Sequence, residues 1–197
     1  LKPKHLYSNV ILLLHMSQNN YNIKIIESLF KGGNHIRGLA RLLKTNQTTI
    51  ARKVHELYRD NVVDFKQEGR NKVFFLKKTL EAKQYAYLVE VHKLLEILKK
   101  YPRLRRIIEL IKKNQKISLA ILFGSYAKGI AAKGSDIDIY IDAKDAKLKE
   151  EVEQIDSKIS VKIGGYNKDS LLIKEIEKNH VIIKGTDLYY EKNKFFD

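Results

Sequence analysis

GSYAKGIAAKGSDIDIYID, residues 124–142, is the stretch on which the interpretation of this chain depends. It follows an apolar run, Ile117–Phe123, which is typical of a buried strand. The strand is expected to end at Gly124, where a residue without a side chain lets the backbone come close to a phosphate. If a helix begins near Ser125, its free N–H groups and the serine hydroxyl favour an anion. A Gly-Ser pair after a strand is weak evidence for a phosphate site by itself, and the acidic residues that follow strengthen it.

Two aspartates form the other half of this stretch. Asp136 and Asp138 follow Ser125 after ten intervening residues and alternate with isoleucines. Residues two apart on a strand project to the same face, so the two carboxylates are expected side by side while the isoleucines enter the core. Adjacent carboxylates repel unless a cation neutralises them, and Mg²⁺ or Mn²⁺ bridging to substrate phosphates suits this chemistry. A surface strand with charged outer residues would explain a bare pair, but not the whole arrangement.

Residues 117–142 together resemble the signature of the polymerase-β-like nucleotidyltransferase superfamily, in particular of its minimal, single-domain members in bacteria and archaea. Gly124–Gly129 matches the first half of that signature and Ser135–Asp138 matches the second. The downstream pattern has a compatible order, with a helix over 147–154, a strand over 158–163, a helix over 168–178 and an ending at 179–185. The resemblance implies an α/β domain with a small mixed sheet over residues 116–197.

The resemblance also implies a mechanism. Gly124-Ser125 would cradle the phosphates of a nucleoside triphosphate, and Asp136 and Asp138 would be catalytic residues that hold two divalent ions. One ion activates the attacking hydroxyl and the other stabilises the leaving pyrophosphate. Lys128 and Lys133 lie on the loop between the motif halves, where each either neutralises phosphate charge or is a solvated surface lysine.

One expected part of this site is missing from the sequence. Active members of the superfamily carry a third carboxylate on a later strand, but the polar face of the candidate strand 158–163 offers Ser160 and Lys162. A lysine there could occupy the place of a metal charge. Asp142 and Asp156 lie nearby in the sequence, yet neither has the expected alternation. Nucleotide binding is therefore better supported than nucleotidyl transfer, so we leave open whether the chain is an enzyme.

The net charge of +15 is distributed unevenly. Residues 1–115 contain 24 Lys or Arg and 9 Asp or Glu, whereas residues 116–197 contain 14 of each kind. This change in charge composition predicts a domain boundary near residue 115 and an N-terminal part that binds a polyanion. The alternative is a basic surface that only keeps the protein in solution.

The N-terminal pattern of helix, helix, tight turn, helix and β-hairpin resembles a winged helix-turn-helix over residues 22–76. The segment Leu39–Arg52 looks like the helix-turn-helix core of prokaryotic regulators, with Asn46 as the N-cap of the third helix. The hairpin loop 67–71 has Gly69 where a positive φ is expected. Polar and basic side chains on the third helix and the wing are the expected contacts to double-stranded DNA: Gln47, Thr48, Thr49, Arg52, Lys53, Arg70 and Lys72. A winged helix that contacts only proteins is the alternative.

A helical connector is expected over residues 79–115, between a winged-helix domain at 1–78 and the nucleotidyltransferase domain at 116–197. One face of its first helix is apolar and either forms a homodimer seam or packs on the chain's own domains: Leu88, Val91, Leu94, Leu95 and Leu98. The predicted class is thus α+β with two domains.

The remaining features set limits on location and role. There is no cysteine, and no apolar run reaches the roughly 18 residues that span a bilayer, so we expect a cytoplasmic protein without a membrane partner. Val10–Met16 is either a strand or a short helix. We expect a DNA-binding transcriptional regulator that binds a nucleotide and a divalent metal and can transfer a nucleotidyl group to a protein or small molecule. The alternatives are a regulator that only senses the nucleotide, and a toxin–antitoxin component with a small helical protein partner.

Overall fold

The computed structural model describes residues 21–197, so the expectation for Val10–Met16 lies outside the described part. The chain divides into two compact units, one ending at Val89 and the other spanning Glu90–Asp197. Each unit combines helices with a small sheet, which confirms the predicted α+β class. Within residues 21–197, no helix is both long and apolar enough to cross a bilayer.

The N-terminal unit has the winged helix-turn-helix order. Its elements are α1 (Tyr21–Leu29), β1 (Asn34–His35), α2 (Ile36–Leu42), α3 (Gln47–Arg59), β2 (Val63–Glu68), β3 (Asn71–Leu76) and the start of α4 (Leu80–Lys100). The three strands form an antiparallel sheet in the order β1-β3-β2, in which Phe74 pairs with both Asn34 and Phe65. The short strand β1 was not expected from the sequence, because two residues carry no recognisable pattern.

Local signals explain how α3 is placed. The Asn46 side chain accepts a hydrogen bond from the Thr49 N–H at 2.7 Å, as an N-cap should. The turn before it is closed by the Thr45 N–H, which donates to the Ala40 carbonyl at 3.0 Å. Three side chains at helical spacing then fix α3 in the core: Ile50, Val54 and Leu57. The hairpin turns at Gly69 with a φ of 57°, as its place in the loop predicts.

The stretch 79–115 is divided between the units, because the boundary falls inside α4. The second half of α4 and all of α5 (Leu104–Lys113) contribute to the core of the C-terminal unit. Their buried side chains are Leu94, Ile97, Leu104, Ile107, Ile108 and Ile111. The apolar stripe expected on α4 is therefore split: Leu94 is buried, whereas Val91 and Leu95 are 46% and 47% exposed.

The C-terminal unit contains a four-stranded mixed sheet. After α5 come β4 (Ala120–Leu122), α6 (Gly124–Ala127), β5 (Ile137–Asp142), α7 (Ala146–Glu153), β6 (Ile159–Gly164), α8 (Leu171–Lys178), β7 (Val181–Lys184) and α9 (Thr186–Asn193). The strand order is β6-β5-β4-β7, with β5 and β6 parallel and the other pairs antiparallel. Three alternating isoleucines of β5 enter the core, as expected: Ile137, Ile139 and Ile141.

Candidate functional site

Gly124 brings the backbone into close contact with an acidic side chain. It begins α6 directly after β4 and has a φ of +68°, a conformation that favours glycine. A Cβ atom on this residue would lie 2.3 Å from Oδ2 of Asp138, which is closer than van der Waals contact allows. The adjacent Phe123 N–H donates to the Asp138 carbonyl at 3.0 Å and continues the β4–β5 ladder. Any other side chain here would have to displace the Asp138 carboxylate and would hold the backbone in an unfavourable conformation.

The structure brings the two predicted aspartates together at the start of β5. Asp138 lies on β5 and is half-buried, whereas Asp136 lies just before the strand and is exposed. Burial raises the pKa of Asp138 above its ordinary value, and repulsion from the Asp136 carboxylate raises it further. Lys162 acts in the opposite direction and lowers the pKa of Asp138. The two carboxylates are thus close enough to repel, and Lys162 partly compensates the negative charge of Asp138.

The neighbouring strand places Ser160 and Lys162 on the same face as the acid pair. In the parallel register of β5 and β6, Ser160 lies beside Asp138 and Lys162 lies beside Tyr140. The Tyr140 hydroxyl donates to the Gly164 carbonyl at 2.8 Å, which ties the far ends of the two strands together. The position where a third carboxylate would be expected is therefore occupied by a hydroxyl and an ammonium group.

The two other nearby acids are engaged elsewhere. Asp142 forms an ion pair with Lys192 at 2.9 Å and accepts the Tyr166 N–H at 3.2 Å. Asp156 forms an ion pair with Arg103 at 3.1 Å and is held by the backbone at the start of β6. Across residues 21–197, no group of three or more His, Cys, Asp or Glu side chains is placed to hold a metal ion.

The donor set that is present fits a hard divalent cation. Asp136 and Asp138 offer carboxylate oxygens, which are the ligands that Mg²⁺ and Mn²⁺ prefer. Their mutual repulsion, seen in the raised pKa of Asp138, is the electrostatic condition that a cation relieves. The carboxylate of Asp138 lies directly against the Gly124 backbone at the end of β4, so an ion held there would be next to the strand end.

The two other residues expected to bind nucleotide differ in their surroundings. Ser125 is half-buried in the first turn of α6, and its carbonyl accepts the Ile130 N–H at 3.0 Å. Lys128 lies at the end of α6 and forms an ion pair with Glu175 of α8 at 3.2 Å. Because exposed ion pairs are worth at most about 1 kcal/mol, this pairing leaves the Lys128 ammonium free to exchange partners.

The residues of α3 that are predicted to contact DNA differ in their exposure to solvent. Gln47, Thr48 and Arg52 are exposed, whereas Thr49 and Lys53 are half-buried. Lys53 forms an ion pair with Glu56 at 2.7 Å, and only 24% of its side chain is exposed. The Arg52 side chain remains 64% exposed although it also reaches Glu56, at 2.9 Å.

The wing presents both of its predicted basic residues to solvent. Arg70 lies at the hairpin turn and Lys72 lies on β3. The Lys72 ammonium is 4.1 Å from the centroid of the Phe65 ring, a cation–π contact that orients the side chain across the hairpin.

Comparison with known proteins finds a family model that matches most of the C-terminal unit. Residues 105–193 match the family model described as "Polymerase beta, Nucleotidyltransferase". No curated protein matches the chain.

Three solved structures show a general likeness to parts of the chain. The adhesin competence repressor AdcR from Streptococcus pyogenes is 25% identical, with a TM-score of 0.38, and the match covers 50% of this chain and 75% of that one. The transcriptional repressor BigR from Xylella fastidiosa is 15% identical, with a TM-score of 0.35 and coverage of 43% and 84%. A toxin–antitoxin structure with AMP-PNP is 20% identical, with a TM-score of 0.32 and coverage of 53% and 85%. TM-scores this low carry no functional assignment.

We expect Asp138→Asn and Asp156→Asn to change stability in opposite directions. The raised pKa of Asp138 means that ionisation opposes folding as pH rises through the unfolded value towards the folded one. The pKa of Asp156 is lowered, chiefly by the Lys158 N–H, so its ionised form contributes stability that is lost as pH falls. In metal-free buffer at pH 7, the urea midpoint followed by circular dichroism should rise for D138N and fall for D156N.

The difference for D138N should vanish about one unit below the ordinary aspartate pKa of about 3.9, whereas that for D156N should vanish only at a still lower pH, because the pKa of Asp156 is lowered in the folded chain. A lower midpoint for D138N at pH 7 would contradict the mutual repulsion of the acid pair.

Proposed function

We propose, from the membership of residues 105–193 in the polymerase β nucleotidyltransferase family, that this chain is a DNA-binding regulator whose C-terminal unit binds a nucleoside triphosphate together with a divalent cation. The observation that carries the proposal is the contact of Gly124 with Asp138, beside Asp136. It places the Asp138 carboxylate directly against the end of β4, with a second carboxylate nearby. These are the features that a phosphate chain and its counter-ion require.

Each residue of the site has a role in this proposal. Asp136 and Asp138 hold Mg²⁺ or Mn²⁺, which when bound would neutralise the carboxylates and the phosphates at once. Gly124 allows the phosphates to approach the backbone, and the Ser125 hydroxyl donates to them. Lys128 exchanges its exposed partner Glu175 for a phosphate oxygen.

Nucleotide sensing is favoured over nucleotidyl transfer by the surroundings of the acid pair. Ser160 and Lys162 flank Asp138 on the next strand, and Asp142 and Asp156 are both held in ion pairs. A transfer reaction to a protein or small-molecule acceptor is the second candidate, because both aspartates of the motif are present on one side of the sheet. Incubation with α-labelled nucleoside triphosphates separates the two, since only transfer leaves the label on an acceptor.

The proposed DNA contact rests on charge and exposure in the N-terminal unit. The first 115 residues contain 24 basic and 9 acidic residues. Gln47, Thr48 and Arg52 are exposed along α3, where short polar and guanidinium groups can meet base edges in the major groove. Arg70 and Lys72 on the wing supply phosphate contacts.

We expect nucleotide binding to depend on the acid pair. In a titration of the full chain with a fluorescent ATP analogue and Mn²⁺, the double variant Asp136→Asn/Asp138→Asn should lose at least about 10-fold in affinity, because loss of metal ligands removes the bridge to the phosphates. The matched control is Asp169→Asn, which neutralises an exposed aspartate in the segment before α8. Equal affinity of the double variant and the control would contradict the proposed site.

We expect DNA binding to depend on Arg52. With duplexes selected by the full chain from a random-sequence pool, Arg52→Ala should weaken binding about 10-fold, in line with the 1–3 kcal/mol of a lost base contact. Arg59→Ala is the matched control, since Arg59 is an exposed arginine in the last turn of the same helix. Binding should also fall steeply with salt. If R52A and R59A weaken binding equally, the contact does not involve the start of α3.

We also propose that the chain forms a homodimer through the exposed apolar residues of α4. Val91 and Leu95 lie one helical turn apart, and a second copy of the same face would cover both. Light scattering should give twice the 22.9 kDa chain mass for the unaltered protein and the single mass for Val91→Glu/Leu95→Glu. Glu96→Lys, a charge change at an exposed residue of the same helix outside the Val91–Leu95 face, should leave the dimer intact. A single chain mass for the unaltered protein would contradict the proposal.

A further inference from the structure

A lysine shares the face of the sheet that carries the acid pair. Lys162 and Ser160 lie two residues apart on β6 and therefore project to one side. The register places Ser160 beside Asp138 and Lys162 one step further along, beside Tyr140. Lys162 is exposed, so its long side chain can turn towards either end of the strand.

The charge of Lys162 is felt at the acid pair. Lys162 stands diagonally across from Asp138 on the neighbouring strand, so its positive charge partly offsets the two carboxylates. The balance follows from geometry, because both side chains stand on neighbouring strands of a hydrogen-bonded sheet. An ammonium group in this place attracts phosphate oxygens and repels a metal ion.

We propose that Lys162 limits this site to a single divalent cation and that its ammonium takes the place of a second one beside the nucleotide phosphates. The inference rests on the proposed function, because it concerns the ion that accompanies the nucleotide. It assigns Lys162 as a residue that determines how many metal ions the site holds.

Counting the charges supports a single ion. A two-ion centre places its ions about 3.5–4 Å apart and needs acidic ligands for both. Three carboxylates with two divalent ions sum to a net charge of +1. Two aspartates, one lysine and one divalent ion also sum to +1, whereas a second ion would raise the total to +3 beside an ammonium group. With one divalent ion, the two aspartates and Lys162 therefore reach the same net charge as a three-carboxylate site with two ions.

The single-ion site has a chemical consequence for the nucleotide. The Lys162 ammonium can donate hydrogen bonds to phosphate oxygens, but it cannot act as a Lewis acid on an attacking hydroxyl. The nucleotide is held without the second metal centre that transfer requires. The Lys162 side chain is thus a physical reason for this site to sense a nucleotide and not to transfer its nucleotidyl group.

Counting bound Mn²⁺ tests the inference directly. The full chain is saturated with a non-hydrolysable ATP analogue and titrated with Mn²⁺, while the free ion is followed by electron paramagnetic resonance against a protein-free analogue blank. We expect one Mn²⁺ per chain for the unaltered protein and two for Lys162→Asp, which supplies a third carboxylate. Lys147→Asp is the matched control, because it makes the same charge change at an exposed position of α7 and should leave the count at one.

Lys162→Met provides a second variant that removes the ammonium without adding a ligand. It should keep one Mn²⁺ and bind the nucleotide analogue about 10-fold more weakly, as expected for the loss of one charge-assisted hydrogen bond. Two Mn²⁺ in the unaltered chain, or unchanged analogue affinity in K162M, would overturn the role of Lys162 and leave nucleotide binding standing. No Mn²⁺ bound to the unaltered chain would instead overturn the proposed function itself.

Discussion

The close approach of Gly124 to Asp138 is the constraint on which the rest of the C-terminal unit depends. The 2.3 Å that would separate a Cβ atom at residue 124 from the carboxylate shows that the strand end and the acid share one space. The sheet holds Asp138 there, because β5 pairs with β4 on one side and with β6 on the other. The backbone of β5 thus keeps Asp138 near Asp136, and the two carboxylates repel each other.

This fixed repulsion distinguishes the pair from the other acids of the unit. Asp142 and Asp156 each pair with a basic side chain from a distant part of the chain, and Glu175 does the same. Such pairing satisfies a carboxylate within the protein. Asp138 has no such ion pair among the described contacts, and Lys162 on the neighbouring strand offsets its charge only in part, so an external cation is the simplest way to balance the site. The carboxylates of Asp142 and Asp156 are neutralised by side chains of the protein, whereas the Asp136–Asp138 pair is available to bind an external ion.

Much of the fold could be predicted from local patterns. The Asn46 cap, the positive φ of Gly69 and the alternating isoleucines of β5 are local properties, and the structure has all three. The family resemblance, drawn from Gly-Ser and the two aspartates, agrees with the family model that matches residues 105–193.

The pairing of side chains could not be predicted in this way. Lys128 contacts Glu175, 47 residues later in the sequence, and Arg103 contacts Asp156, 53 residues later. At such separations the spacing of the residues does not indicate that they interact. Lys53 looks exposed from helical periodicity, but its contact with Glu56 leaves it half-buried. The helix α9 and the split of the α4 stripe depend on tertiary packing that only the assembled sheet provides.

The most direct measurement is anomalous diffraction from crystals of the full chain grown with Mn²⁺ and a non-hydrolysable ATP analogue. We expect one manganese peak within bonding distance of carboxylate oxygens of both Asp136 and Asp138. The phosphates of the analogue should lie against Gly124, and the Lys162 ammonium should contact them. Two manganese peaks on this face, or a nucleotide bound away from the acid pair, would contradict this expectation.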